Sequence, residues 1–305
     1  MIALVARQQL TTLHRQRTAV TVVGLFVAMT ALAGVIGWSS TQTISRVYDQ
    51  AVVLLAQSGA PTPANPIGIK PVLSLLSNMT VYLPLVGALL AVLLGHLVIA
   101  DDRTSGVGRL LFSRRLSGRG YLAGKAAAVG AVLAVALTAS LLVSVLALLV
   151  ANGNLPTVAD LGRLVLFYGL SFLYLTIFAL VGMAAVLLTR KRSLALLSAM
   201  GVWLVVTFAV PQFTSGLRPT ASLNPITDPA SATTAFFRAT AHARPLSLSE
   251  QYKAASADLL QTGPAHAVTA TLGHAVPLLL GAGLLALLVS LSVRRHDWSR
   301  SMAGE

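Results

Sequence analysis

Apolar residues in this chain come in long runs, without the alternation of a half-buried strand. Six runs read as membrane-crossing helices: residues 19–38, 72–100, 126–151, 161–189, 194–210 and 267–293. Each is close to or above the about 20 mainly apolar residues that the hydrocarbon core requires. The second, fourth and sixth exceed that length and are expected to tilt or to extend past the bilayer. Pro84 and Pro277 fall inside two of these runs and predict kinks, because proline removes an intrahelical hydrogen bond. Ala31-Leu32-Ala33 resembles a signal-cleavage site, but the apolar run continues through Ile36 to Trp38, so the first run is expected to remain a span.

The segments between the runs carry their own patterns. Residues 2–17 set Ile2, Val5, Leu10 and Leu13 among Arg7, Gln8, Gln9 and Arg15, which predicts a short amphipathic helix lying at the membrane surface. Residues 39–71 contain a helix-like stretch, 44–57, followed by the breaker-rich GAPTPANP. Residues 211–266 open with turn signals at Pro219, Asn224-Pro225 and Asp228-Pro229. Ser247 and Glu250 then have the spacing of a capping box before a helix through Tyr252 and Leu259, ended by Gly263-Pro264. A structureless loop of that length would be unusual, so a small helical cap outside the membrane is expected. The link 101–125 is basic but holds an apolar triplet, Leu110-Leu111-Phe112, within a predicted short helix that begins at Arg103.

Composition supports the membrane reading. Hydrophobic residues make up 55% of the 305 and charged residues only 10%, against about 25% charged in an ordinary soluble domain. The net charge of +13 would suggest nucleic acid in a soluble protein. Topology accounts for it instead. With the N-terminus in the cytoplasm, 15 of the 22 lysines and arginines fall on the cytoplasmic side, among them Arg103, Arg109, Arg114, Lys125, Lys191, Arg192 and Arg294. That is the positive-inside pattern. It predicts a multi-pass membrane protein with both termini cytoplasmic and no nucleic-acid partner.

Several chemistries have no residues to carry them. The chain has no cysteine, which removes thiolate metal sites, cysteine nucleophiles and disulfides. The centres of the apolar runs hold no Asp, Glu, Lys or Arg, where ion-coupled carriers usually place them. His96 and His274 stand near run ends and read as satisfied interfacial histidines. Neither HExxH nor GxSxG occurs, and the six histidines and six methionines lack metal-ligand spacing. A phosphate loop needs GxxxxGK and then Ser or Thr. Residues 119–126 offer Gly124-Lys125, but with arginine at the first glycine position and alanine at the end. No catalytic, cofactor or metal site is expected, and any ATP would be bound by a partner subunit.

The six-run plan resembles the permease subunits of type 2 ABC exporters. The link carries the closest match: Asp101 or Asp102 at the end of the second run, then Gly106, Leu110-Leu111, Phe112-Ser113-Arg114, Leu116-Ser117, Arg119, and Gly124-Lys125 opening the third. Arg115 stands where that family usually has proline, and Gly118 where arginine is common. The narrower pattern, including Leu223-Asn224-Pro225, is most similar to permeases of nitrous-oxide-reductase maturation. The resemblance implies an all-α membrane fold: six transmembrane helices, a cytoplasmic interfacial helix, a cytoplasmic coupling helix and a small outer cap, all in one permease domain, 1–305. It implies a prokaryotic plasma-membrane location, two copies of an ABC ATPase, a second permease copy or homologue, contact with membrane lipid, and room for an extracytoplasmic partner protein. On this likeness the coupling residues are Asp101, Asp102, Arg109, Leu110, Leu111, Phe112 and Arg114. Two other readings remain open at this stage, an ion-coupled secondary carrier and a non-transporting membrane anchor.

The charge pattern yields a direct test, made simple by the cysteine-free background. Single cysteines replacing Ser58 and Ser231 are expected to react with an impermeant thiol reagent from outside intact cells, and one replacing Ser299 is not. Labelling of the Ser299 position from outside would reverse the topology.

Overall fold

The computed structural model describes residues 2–59, 61–62, 64–65, 71–104, 117–189, 191–214, 239–262 and 268–295, and among them there are helices and no strands. Amphipathic helix α1 (Ile2–Arg15) leads into α2 (Thr18–Ser58), and α3 (Met79–Arg103), α4 (Gly118–Asn152), α5 (Val158–Leu188) and α6 (Arg192–Thr214) follow. A shorter helix, α7 (Leu248–Leu259), precedes α8 (Val268–Arg295). Six of these, α2 to α6 and α8, are long and apolar enough to cross a membrane. The count matches the six apolar runs, and their boundaries move outward at several ends.

The largest shift is in α2. Its 41 residues extend about 60 Å at 1.5 Å per residue, twice the hydrocarbon thickness. The helix-like stretch 44–57 is therefore not a separate element: nothing between Trp38 and Ser58 breaks the helix. Gly59 ends it in the left-handed conformation (φ 70°), its N–H returning to the last-turn carbonyls. At the start, Arg17 takes φ 60°, a single-residue reversal that swings α1 back against the bundle.

Packing centres on α3 and α5. Hydrocarbon tails are as apolar as leucine, so helices in a membrane associate by close van der Waals fit and favour small residues at contacts. Gly95 and Gly182 make that fit possible. A Cβ on Gly95 would lie 2.0 Å from the Ala179 carbonyl oxygen, and one on Gly182 would lie 2.2 Å from that of Val92. Around this crossing Ala91, Val92, Leu94, Val98, Tyr174, Leu175 and Phe178 are fully buried.

Proline is accommodated in two ways. Pro84 sits in a π-helical turn, Leu83–Gly87, and a second π turn, Val205–Ala209, stands just before Pro211. In that register the N–H of residue 211 would serve the carbonyl of Val206, and proline has none. The hydroxyl of Ser249, from α7, donates to Val206 O at 3.0 Å instead. Pro277 lies within an unbroken α8.

α7 does not sit above the spans. Tyr252 stacks on Tyr174 of α5 at 4.5 Å between centroids and shares a 2.9 Å hydrogen bond with Ser171. Ser249 lies 3.0 Å from the Tyr174 hydroxyl, and Leu248 packs at Gly281, the middle of α8. The helix therefore begins beside the centres of α5 and α8 and runs along them to Asp258, whose carbonyl is 3.5 Å from Nη1 of Arg163, near the start of α5. Burial holds the Tyr252 hydroxyl above the ordinary phenol range, so it stays protonated. The expected capping box does not form. Ser247 is the N-cap residue, but its buried Oγ has no partner among the described residues, and Glu250 turns toward Lys253 at 3.9 Å. The turn signals at 219–229 and 263–264, and residues 223–225, lie outside the described residues.

The glycine crossing predicts a sharp contrast. Gly182→Val is expected to destabilise the protein by about 3 kcal/mol or more, because the clash is with backbone. Gly169→Ala, with nothing within 4 Å of the new Cβ, should stay within about 1 kcal/mol of the parent. Thermal unfolding in detergent compares the two.

Candidate functional site: a buried ion cluster where the link begins and ends

The link 101–125 leaves α3 and rejoins the bundle in the first turns of α4. Its two ends are bound to each other. Lys125, only 3% exposed, places its ammonium 2.6 Å from Asp102 Oδ2. The same oxygen accepts the Tyr121 hydroxyl at 2.7 Å. Lys125 also donates to Gln9 Oε1 at 2.5 Å and stands 5.3 Å above the Tyr121 ring. A buried ammonium has three donors to satisfy. A carboxylate, an amide oxygen and the face of an aromatic ring meet that need.

Each partner is there for a local reason. Val5, Gln9 and Leu13 are the buried residues of α1, one helical turn apart and so on one face. The α1 stripe expected from sequence used Ile2, Val5, Leu10 and Leu13. In the structure Ile2 is half exposed, and Gln9 occupies the centre of the buried face because Lys125 needs an acceptor there. Gly124 allows the approach: a Cβ there would lie 2.7 Å from Val5 Cβ and 3.0 Å from the Ile2 carbonyl oxygen. The pair Gly124-Lys125 thus combines a notch for α1 with a cation for Asp102. Ser117 caps α4 by accepting the Gly120 N–H at 3.2 Å.

The neighbouring residues extend the cluster to two more helices. Asp101 meets Arg192 Nη2, at the start of α6, at 3.2 Å. Arg103 Nη1 donates to the carbonyl of Thr189, just past the end of α5, at 2.9 Å. Three consecutive residues at the end of α3 therefore hold α4, α6 and the end of α5, and Lys125 brings in α1 through Gln9. His96 lies one to two turns back along α3 and is 2% exposed. Its Nδ1 has no partner among the described residues, in contrast to the satisfied histidine expected there. His274 fits that expectation, with Nδ1 2.8 Å from Gln251 Oε1.

Of the residues that sequence singled out, Asp101 and Asp102 are at the heart of this cluster. Arg109, Leu110, Leu111, Phe112 and Arg114 lie outside the described residues. Gln9 and Tyr121 were not anticipated. The only signal for them was indirect: a lysine carried just inside an apolar helix must find a carboxylate and an acceptor close by.

The sequence matches the family described as ABC-2 family transporter protein over residues 3–297. No curated protein matches it.

The two ion pairs should separate clearly in stability. Breaking a buried pair leaves an uncompensated charge and costs about 3–5 kcal/mol, whereas an exposed pair contributes about 1 kcal/mol or less. Asp102→Ala is therefore expected to destabilise strongly, and Asp101→Ala, whose partner Arg192 has a half-exposed side chain, only slightly. Replacing both buried partners, Asp102→Leu with Lys125→Met, should recover much of the loss. Denaturation of the purified variants in detergent gives the comparison.

Proposed function

The chain belongs to the ABC-2 family of transporter proteins, and from that premise we propose that it is the export permease of an ATP-driven transporter, coupled to its ATPase through the link 101–125. It is a membrane permease subunit, built on six apolar helices, that works with a partner ATPase. The observation that supports the finer reading is the ion cluster. A segment that receives a mechanical push is useful only if its ends are anchored to the parts that must move. Here both ends converge on Asp102–Lys125, and the flanking Asp101 and Arg103 reach α6 and the end of α5. Displacement of the link would therefore be delivered to several helices together.

In this reading two permeases, identical or paired with a homologue, face each other along a shared path, and one ATPase docks under each on the cytoplasmic side. Leu110, Leu111 and Phe112 would seat in a cleft of the ATPase while Arg109 and Arg114 orient the contact through their charge. ATP-driven closure of the ATPases would move the two links and open the path outward. Both termini, α1 and the ion cluster then lie on the cytoplasmic side, a placement that the distribution of basic residues supports. Residues 1–305 act as one permease domain. The narrower assignment we carry forward is to nitrous-oxide-reductase maturation, with a periplasmic partner protein. It would be tested by whether deleting the gene leaves that reductase without its copper.

The coupling reading has a sharp test in the link. Burying one leucine is worth roughly 1.5–3 kcal/mol, so the double substitution Leu110→Ser, Leu111→Ser should weaken ATPase docking by about two orders of magnitude or more. The expected result is loss of ATPase from the affinity-purified permease and loss of transport, at unchanged membrane expression. Full retention of the ATPase by the double variant would remove the link from the mechanism.

A further inference from the structure

A cavity of about 580 Å³ opens between α3 and α6, beside the ion cluster but separate from its buried pair. Its composition is graded. Lys191 and Arg192 stand at its rim, at the start of α6. Leu196, one turn along α6, and Leu93 and Leu97 on α3 line its deeper part. His96 completes the wall between those two leucines, buried and with Nδ1 unpartnered among the described residues.

We propose that this cavity is a binding site for an anionic phospholipid, with its phosphate at the Lys191–Arg192 rim and an acyl chain along the leucines. Three independent features converge on that ligand. The first is charge: Lys191 and Arg192 face the cavity, and the contact with Asp101 uses Nη2 of the Arg192 guanidinium, which has other donors to offer. The second is the backbone. α6 is 13 residues long to Leu204, and its N-cap residue, Lys191, makes no side-chain cap. The N–H groups of its first turn are free of intrahelical partners, and Arg192 and Ser193, which carry two of them, line the cavity, the setting of an anion-binding end. The third is depth. Leu93 lies eight residues before Asp101 on α3, about 12 Å further into the bundle, so the cavity changes from cationic to apolar along the direction in which a lipid changes from headgroup to chain. A soluble anion would use the first two features and leave the leucine-lined part without a purpose. Basic pockets between transmembrane helices on the cytoplasmic side are suited to acidic headgroups. The site also touches Arg192, which holds α6 to α3 through Asp101, so an occupant would bear on the same helix junction. This proposal rests on the membrane assignment and does not require the coupling reading or the ATPase.

The test uses the full-length permease in nanodiscs containing phosphatidylglycerol and phosphatidylcholine, followed by native mass spectrometry of the lipids that remain bound. The parent protein is expected to retain phosphatidylglycerol in preference to phosphatidylcholine. Lys191→Gln, at an exposed position that does not challenge folding, should lower that preference by about fivefold, the share of one basic residue at an anionic surface. Leu196→Trp, which fills the apolar part, should abolish retention, with the thermal midpoint confirming a folded variant. Millimolar inorganic phosphate is expected not to displace the lipid. The proposal is overturned if the parent shows no preference for phosphatidylglycerol, or if Lys191→Gln keeps the full preference. Displacement of the lipid by inorganic phosphate would overturn it in favour of a soluble anion. If Leu196→Trp proves unfolded, the Lys191→Gln comparison alone decides.

Discussion

A lysine in an apolar environment must be neutralised by contact, and much of the arrangement at one end of this protein follows from how Lys125 meets that requirement. Its ammonium is almost fully removed from solvent and faces the Asp102 carboxylate at 2.6 Å. Because the carboxylate ends α3 and the lysine begins α4, the pair closes the link into a loop with a fixed base. The remaining donor capacity draws in Gln9, and with it the whole of α1, against the notch at Gly124. Such a pair is weak evidence for net stability, since desolvation offsets much of the attraction. What it supplies is a defined geometry, for either partner left alone would be an uncompensated charge.

The same logic appears in neutral form elsewhere. In a medium without water a freed carbonyl must find another donor. The missing N–H of Pro211 is replaced by the hydroxyl of Ser249; at the other π turn the Trp203 indole N–H donates to the carbonyl of Pro84 itself at 3.4 Å. These contacts join α7 to α6 and α6 to α3. A helix expected as a cap is thereby drawn down beside the spans, where Ser249 bonds to α5 and α6 and Tyr252 to α5. The helix-breaking residues thus mark the places where helices are bonded to each other.

The transport reading gains from this economy of contacts. Asp101, Asp102 and Arg103 are consecutive, yet each reaches a different helix, so the end of α3 is a junction and not merely a terminus. Under the proposed coupling, such a junction would pass displacement of the link to α4, α6 and the end of α5 together. The cavity between α3 and α6 lies against the same junction, which places a lipid where the relative position of those helices could be read.

The number of spans and the amphipathic character of α1 were legible in the sequence, because each depends on local composition or periodicity, whereas Asp101 and Asp102 were singled out only by likeness to a family. The α2 extension was partly legible: the pattern marked 44–57 as helical, but continuity with the span is decided by the absence of a breaker over residues 38–58. Gln9, Tyr121 and His96 were not legible in their roles. Gln9 looks like any polar residue on an amphipathic helix until Lys125 arrives from 116 residues away, and Ser249 looks like a first-turn serine until Pro211 leaves a carbonyl beside it. Sequence by itself determined which segments partition into the membrane, since that transfer energy is summed residue by residue along the chain. Tertiary structure alone decided which polar groups meet, since a buried donor is satisfied by whatever acceptor the folded helices bring within about 3 Å, regardless of its distance along the chain.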